Sequence, residues 1–130
     1  MRSCLSRRCR LDLYLQYREA DFLKASVAFA GRSWVDRYAA VKANALTRIH
    51  VLPDELGPAP QDINPYVRNN LWQLYTALAH GVDRLRCIAL WDGESGSGSG
   101  PGGTDQMVRT VKRYGGQLCI VDTRSLLDRH

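Results

Sequence analysis

The run from Gly93 to Gly103, GESGSGSGPGG, constrains this chain more than any other stretch. It is nearly all Gly, Ser and Pro, which are poor material for a helix or strand interior. Its flanks are regular. The apolar run Arg86-Cys87-Ile88-Ala89-Leu90-Trp91 stops at Asp92-Gly93, and Thr104-Asp105 opens a helical pattern. A buried strand, a glycine loop and a helix N-terminus form the arrangement that binds phosphate or another anion in α/β proteins. Backbone N–H groups converge there, and the helix dipole adds partial positive charge. A flexible linker is the competing reading, because Gly/Ser runs commonly are linkers. The segment that follows is too short for a separate domain, so the run is expected inside one fold.

The rest of the chain alternates strand and helix patterns. Leu11 to Gln16 alternates apolar and polar residues and predicts a strand. Glu19 to Val27 predicts a short helix. Gly31-Arg32-Ser33 breaks it, with Ser33 placed to cap a helix from Trp34 to about Asn44. Trp34, Tyr38 and Val41 fall at helical spacing and are expected in the core. Thr47 to Leu52 predicts a second strand containing His50, a lone histidine expected to be packed or on the surface. A proline-studded loop, Pro53 to Asn64, should follow.

Asn64-Pro65 is a strong helix start, an N-cap residue with Pro at the first helical position. That helix should run to His80 and stop at Gly81, packing through Val67, Leu71, Leu74, Tyr75 and Leu78. Arg68, Asn69 and Asn70 in its second turn predict an exposed face. The alternative is that one Asn bonds a neighbouring loop. Leu85 to Trp91 predicts a third strand, apolar enough for burial on both faces. A helix from Asp105 to Tyr114 should bury Met107, Val108 and Val111 and end at Gly115-Gly116. Gln117 to Val121 predicts a fourth strand, and Asp122-Thr123 can cap a terminal helix through Leu127. Residues 1–10 suit the tail of a helix or a disordered segment.

With 130 residues, a single domain over 1–130 is expected. No run approaches the roughly 20 apolar residues of a membrane span. The N-terminus lacks the apolar segment of a secretory signal. Cys4, Cys9, Cys87 and Cys119 form no CxxC pair with a nearby His, so no metal site and no cofactor are expected. Cys87 and Cys119 suit small buried hydrophobes in a cytoplasmic protein. The net charge of +5 is spread along the chain without a basic stripe and interleaved aromatics, which argues against nucleic-acid binding.

Strands alternating with helices argue for an α/β fold with a mostly parallel sheet. In such sheets ligands bind beyond the carboxyl ends of the strands. That rule predicts one rim carrying Pro53-Asp54-Glu55, Asp92-Gly93, Asp122-Thr123 and the glycine loop. Asp92 could bond a sugar hydroxyl, act as a base, or tie down the loop. Gly102, Gly103 and Thr104 would offer N–H groups and a hydroxyl to a phosphate. Asp54 and Glu55 could serve acid–base chemistry or bind a ribose hydroxyl, or belong to a solvated loop.

These residues also carry a resemblance. Trp91-Asp92-Gly93-Glu94-Ser95, then Gly103-Thr104 and a helix, then a strand ending Val121-Asp122, resembles the WDGxSxGT segment of the SLOG superfamily. Its members are Rossmann-like proteins related to the lonely-guy phosphoribohydrolases and to DprA. Pro101-Gly102-Gly103-Thr104 is similar to the lonely-guy PGGxGT loop. Glu19 to Arg37, Pro53 to Pro58 and Arg68 to Leu74 resemble segments of a bacterial branch found in multidomain signalling proteins.

The resemblance implies a three-layer Rossmann-like domain with about four mostly parallel strands flanked by helices, complete or cut short. The strand and first glycine loop that open such folds have no counterpart before Leu11, which implies N-terminal truncation. The Gly/Ser insert is longer than in the family motif. Asp105-Gln106-Met107 stands where the lonely-guy hydrolytic Glu follows its loop, which argues against that reaction.

The function expected is therefore binding of a nucleotide-derived or other phosphate-bearing ligand by a sensor or regulatory module. Asp92, Gly93, Ser95, Gly102, Gly103 and Thr104 would form the site, with Asp54, Glu55, Asn69 and Asn70 as secondary candidates. The alternatives are a nucleotide or N-glycoside hydrolase using Asp92 or Glu55, and a truncated non-binding remnant or interaction module. A partner domain, or a second copy paired through an uncovered sheet edge, is the macromolecular partner expected.

Overall fold

A computed structural model describes residues 6–94 and 103–127, with side chains to Ser125. Residues 95–102, including Ser95, Gly102 and all of the Gly/Ser loop between them, lie outside the described residues. The chain has a mixed α/β structure that divides into two compact units, one ending at Pro60 and the other starting at Gln61. Each described unit contains one pair of parallel strands. No helix among the described residues is long and apolar enough to cross a membrane.

In the first unit, β1 (Leu11–Leu15) pairs in parallel with β2 (Thr47–Val51), Leu11 opposite Thr47 and Leu15 opposite Val51. Parallel neighbours need a crossover, supplied here by α1 (Glu19–Ser26), a turn at Ala28–Ala30 and α2 (Arg32–Lys42). The helices are tied together by Glu19, whose carboxylate accepts from Lys42 Nζ at 2.7 and 2.9 Å and from the Tyr38 hydroxyl at 3.2 Å. Burial, and then the Glu19 charge, push the Tyr38 hydroxyl up to about 12.

The sequence expectations need correction at several points in this unit. Gly31, not Ser33, occupies the N-cap of α2, and Ser33 lies inside the helix. Trp34 is 50% exposed rather than in the core, and the Arg37 guanidinium sits over its ring at 4.9 Å. The stretch expected to be loop after β2 opens with a short helix, α3 (Leu52–Leu56). Pro53 fits there because the first turn of a helix needs no intrahelical N–H donor. Leu52 is buried, and Asp54 and Glu55 lie in the helix's first turn.

The second unit begins with α4 (Pro65–Leu78), capped as its sequence predicts. Asn64 Oδ1 accepts from the backbone N–H of Tyr66 at 2.8 Å and of Val67 at 3.4 Å. α4 ends two residues before the expected His80. The second-turn segment is less exposed than its polarity suggests: Asn69 is 6% exposed, and Arg68 and Asn70 are half-buried. β3 (Arg86–Trp91) follows, then α5 (Thr104–Tyr114), β4 (Gln117–Asp122) and α6 (Thr123–Leu127).

α5 packs on both strands and on α4. Its stripe buries Val108 and Val111 completely and packs Met107 against a core of Leu74, Leu85 and Val111. Gly115 then takes a left-handed conformation, φ +79°, in which its N–H satisfies the Lys112 carbonyl. A side chain would be strained there.

β3 is not buried on both faces. Ala89 is buried against the α5 side, whereas Ile88 is 75% and Leu90 62% exposed on the other. Cys119, opposite Ile88 in the register, is exposed too, and Cys87 is half-buried with its thiol pushed up by burial. A two-stranded pair covered by one helix layer has only one inner face, so a continuous apolar run leaves half its side chains outside.

These contrasts predict distinct stability effects in urea denaturation. Leu74→Ala should cost about 2–5 kcal/mol, and Asn64→Ala about 1 kcal/mol through loss of the cap. Ile88→Ser should change stability by less than about 0.5 kcal/mol. A loss at Ile88 as large as that at Leu74 would mean the face is covered.

Candidate functional site

Of the principal predicted residues, Asp92 and Gly93 follow the carboxyl end of β3, and Gly103 and Thr104 open α5. The register sets Trp91 opposite Asp122, so the two strands finish side by side. α5 returns the chain from the end of β3 to the start of β4, where Gln117 N–H donates to the Leu85 carbonyl. Its 11 residues span about 16 Å at 1.5 Å per residue, close to the length of a six-residue strand, about 20 Å. The N-terminus of α5, with Gly103 at the cap and Thr104 as its first residue, therefore lies toward the end where Asp92 and Asp122 stand. Among the described residues no side chain caps that terminus. In its first turn, Gln106 Oε1 is buried without a hydrogen-bond partner among the described residues.

The turn after β3 is organised by its own side chains. Asp92 Oδ1 accepts from Glu94 N–H at 3.0 Å, and Trp91 Nε1–H donates to the Glu94 carbonyl at 3.2 Å. Gly93 between them has φ +83°. A carboxylate bonding the backbone two residues on is the way Asp builds turns. Of the three roles open to Asp92, the loop-organising one is visible.

Arg124 is the residue that sequence reasoning passed over. It lies in α6, directly after β4. Asp122 Oδ1 accepts from its backbone N–H at 2.9 Å and from Nε at 3.1 Å, while Oδ2 accepts from Nη2 at 3.0 Å. The guanidinium reaches across to the neighbouring strand's turn: a Cβ built on Gly93 would lie 3.6 Å from Nη2. Hydrogen bonding to Arg124 holds the Asp122 carboxyl below its ordinary range. The same bond, helped by the charges of Glu94 and Asp92, raises the Arg124 pKa. Asp122-Thr123 reads as a cap in sequence; what that reading lacks is the side-by-side strand ending that sets Arg124 beside Gly93.

The secondary candidates separate. Asn69 and Asn70 belong to α4 in the second unit. Asp54 and Glu55 stand at the carboxyl end of β2 in the first, where Asp54 Oδ1 is 3.5 Å from Arg18 Nε. Glu55 joins a cluster with no sequence signature. The parallel register sets Tyr14 opposite His50, with Asp12 two residues earlier on the same face. The His50 ring stacks on Tyr14, centroids 4.7 Å apart and planes 12° from parallel. Its Nε2 is 3.0 Å from Asp12 Oδ1, and its Nδ1 is 3.0 Å from Glu55 Oε1. Arg10 Nε donates to the other Asp12 oxygen at 2.9 Å. His50 is therefore neither simply packed nor simply exposed. Hydrogen bonding to Asp12 raises its pKa, and the bond to His50 lowers that of Asp12.

Among the described residues no group of His, Cys, Asp and Glu side chains is arranged to hold a metal ion. The turn geometry makes one prediction. Gly93→Ala should cost about 1–2 kcal/mol in urea denaturation, because a Cβ is strained at that positive φ, although the space itself is open enough to receive it. No family model, curated protein or solved structure matches the chain.

Proposed function

We propose that the chain binds a nucleotide-derived or other phosphate-bearing small ligand at the carboxyl end of the β3/β4 pair, as a sensor or regulatory module in signalling. The observation that carries this reading is the Arg124 guanidinium beside Gly93, at the strand end toward which the N-terminus of α5 points. A guanidinium and the helix dipole at one strand end favour an anion, which would have to bind beside the Asp122, Glu94 and Asp92 carboxylates near Arg124. The proposed pocket comprises Asp92, Gly93, Gly103 and Thr104 with Ser95 and Gly102 of the intervening loop.

The finer assignment belongs to the same proposal: a three-layer Rossmann-like domain of the SLOG type. Its support is the motif resemblance through Trp91–Ser95 and Pro101–Thr104, together with the parallel pairing of both strand pairs. Binding is favoured over hydrolysis because Asp92 is engaged in building its own turn, and a general acid needs a proton to give to a substrate.

A thermal-shift comparison of AMP, ribose 5-phosphate and adenosine tests the reading. A ligand at a hundred times its dissociation constant stabilises the native state by about 2.7 kcal/mol. The two phosphorylated compounds should raise the melting temperature, adenosine should not, and Arg124→Gln should abolish the shift. No shift with any of them at millimolar concentration would sink the proposal. Proton NMR of the same AMP mixture should show no release of free base by the wild type or by Asp92→Asn.

A further inference from the structure

Each ring nitrogen of His50 faces a carboxylate oxygen, Nε2 that of Asp12 and Nδ1 that of Glu55. An ionised carboxylate has no hydrogen to give, and a neutral imidazole carries a single N–H. Two contacts of 3.0 Å, to Asp12 and to Glu55, can both be hydrogen bonds only when the ring holds two protons. With a neutral ring, one contact would set a nitrogen lone pair against a carboxylate oxygen. The geometry is therefore that of an imidazolium bridging two anions.

We propose that His50 is a proton-operated clasp that holds α3 to β1. As an imidazolium it bridges Asp12 on β1 and Glu55 on α3; loss of the Nδ1 proton to solvent releases Glu55 and loosens the Leu52–Leu56 turn.

The surroundings decide which contact gives way. Asp12 is held a second time by Arg10, and its side chain is 23% exposed, against 46% for Glu55. The neutral ring therefore keeps its remaining proton on Nε2, toward Asp12. The other charged groups near the clasp are Arg48, opposite Asp12 in the register, and the Arg18–Asp54 pair at α3. Tyr14 contributes its ring face. Arg18 paired with Asp54 leaves Glu55 as the carboxylate available to the histidine. α3 has five residues, and an isolated helix that short is unstable in water, so its order depends on tertiary contacts. Buried Leu52 anchors its first residue, and the Glu55–His50 contact holds its later residues.

The direction of the effect follows from the ionisations. The folded His50 pKa lies above its ordinary 6.5, so its contribution is full below that value and is lost as pH rises through the folded pKa. The folded Asp12 pKa lies below its ordinary 3.8, so its contribution is present above that value and lost as pH falls through the folded pKa. The clasp is closed between those limits and opens on the alkaline side.

Proton NMR titration of the His50 ring, with amide-exchange protection factors for Glu55 to Gly57, tests this. In the wild type the His50 pKa should exceed 6.5. Protection should fall across that titration, by about tenfold for each unit of pKa elevation due to Glu55. Glu55→Gln, at a half-exposed site, should move the pKa toward 6.5 and flatten the protection profile. His50→Gln should give the same flat profile. A wild-type pKa at or below 6.5, a flat wild-type profile, or a His50 pKa that Glu55→Gln leaves unchanged would each overturn the proposal.

Discussion

Parallel strand pairing is the constraint on which the described architecture depends. Two adjacent strands running the same way cannot be joined by a tight turn, so the chain between them must travel back along the pair. α5 does this in the second unit, and α1 with α2 does it in the first. The consequence is functional as well as topological. A helix returning beside its strands has its N-terminus at their carboxyl ends, where both strands stop and their following residues project. Asp92, Asp122 and Arg124 share that end because β3 and β4 stop in register, Trp91 opposite Asp122.

The same pairing explains how the two clusters differ. Arg124 is held by Asp122, two residues away, through backbone and side chain together. Only its approach to Gly93 depends on the neighbouring strand. His50 depends on tertiary placement almost entirely. Asp12 is 38 residues distant and Glu55 belongs to the next element. Both clusters pair charges, but the first is largely a local turn with a cation attached and the second joins separate elements. On that proposal, loss of a proton loosens the second without touching the local hydrogen bonding of either strand.

The errors of sequence interpretation have physical causes. Cys87 to Trp91 is apolar at every position, which suits a strand between two layers; a single helix layer leaves Ile88 and Leu90 exposed. Pro53 suggested a loop, yet proline is tolerated in the first turn of a helix, and it is the second residue of α3. The polar run Arg68-Asn69-Asn70 suggested a solvated face, yet Asn69 is buried. In each case the residue type was compatible with two environments, and the neighbours chose between them.

Sequence alone determined the elements whose signals lie within a few residues of one another. The four strands, the Asn64 cap of α4, the inward stripe of α5 and its end at Gly115 were all legible, because periodicity and capping are local. Tertiary structure decided which strands pair, in what register, and which face of each is covered. Those choices rest on contacts between residues far apart in the chain, which no local pattern encodes. Hence Asp92 and Gly103 could be proposed together from the sequence, whereas Arg124 beside Gly93, and His50 between Asp12 and Glu55, emerged only when the strands were set side by side.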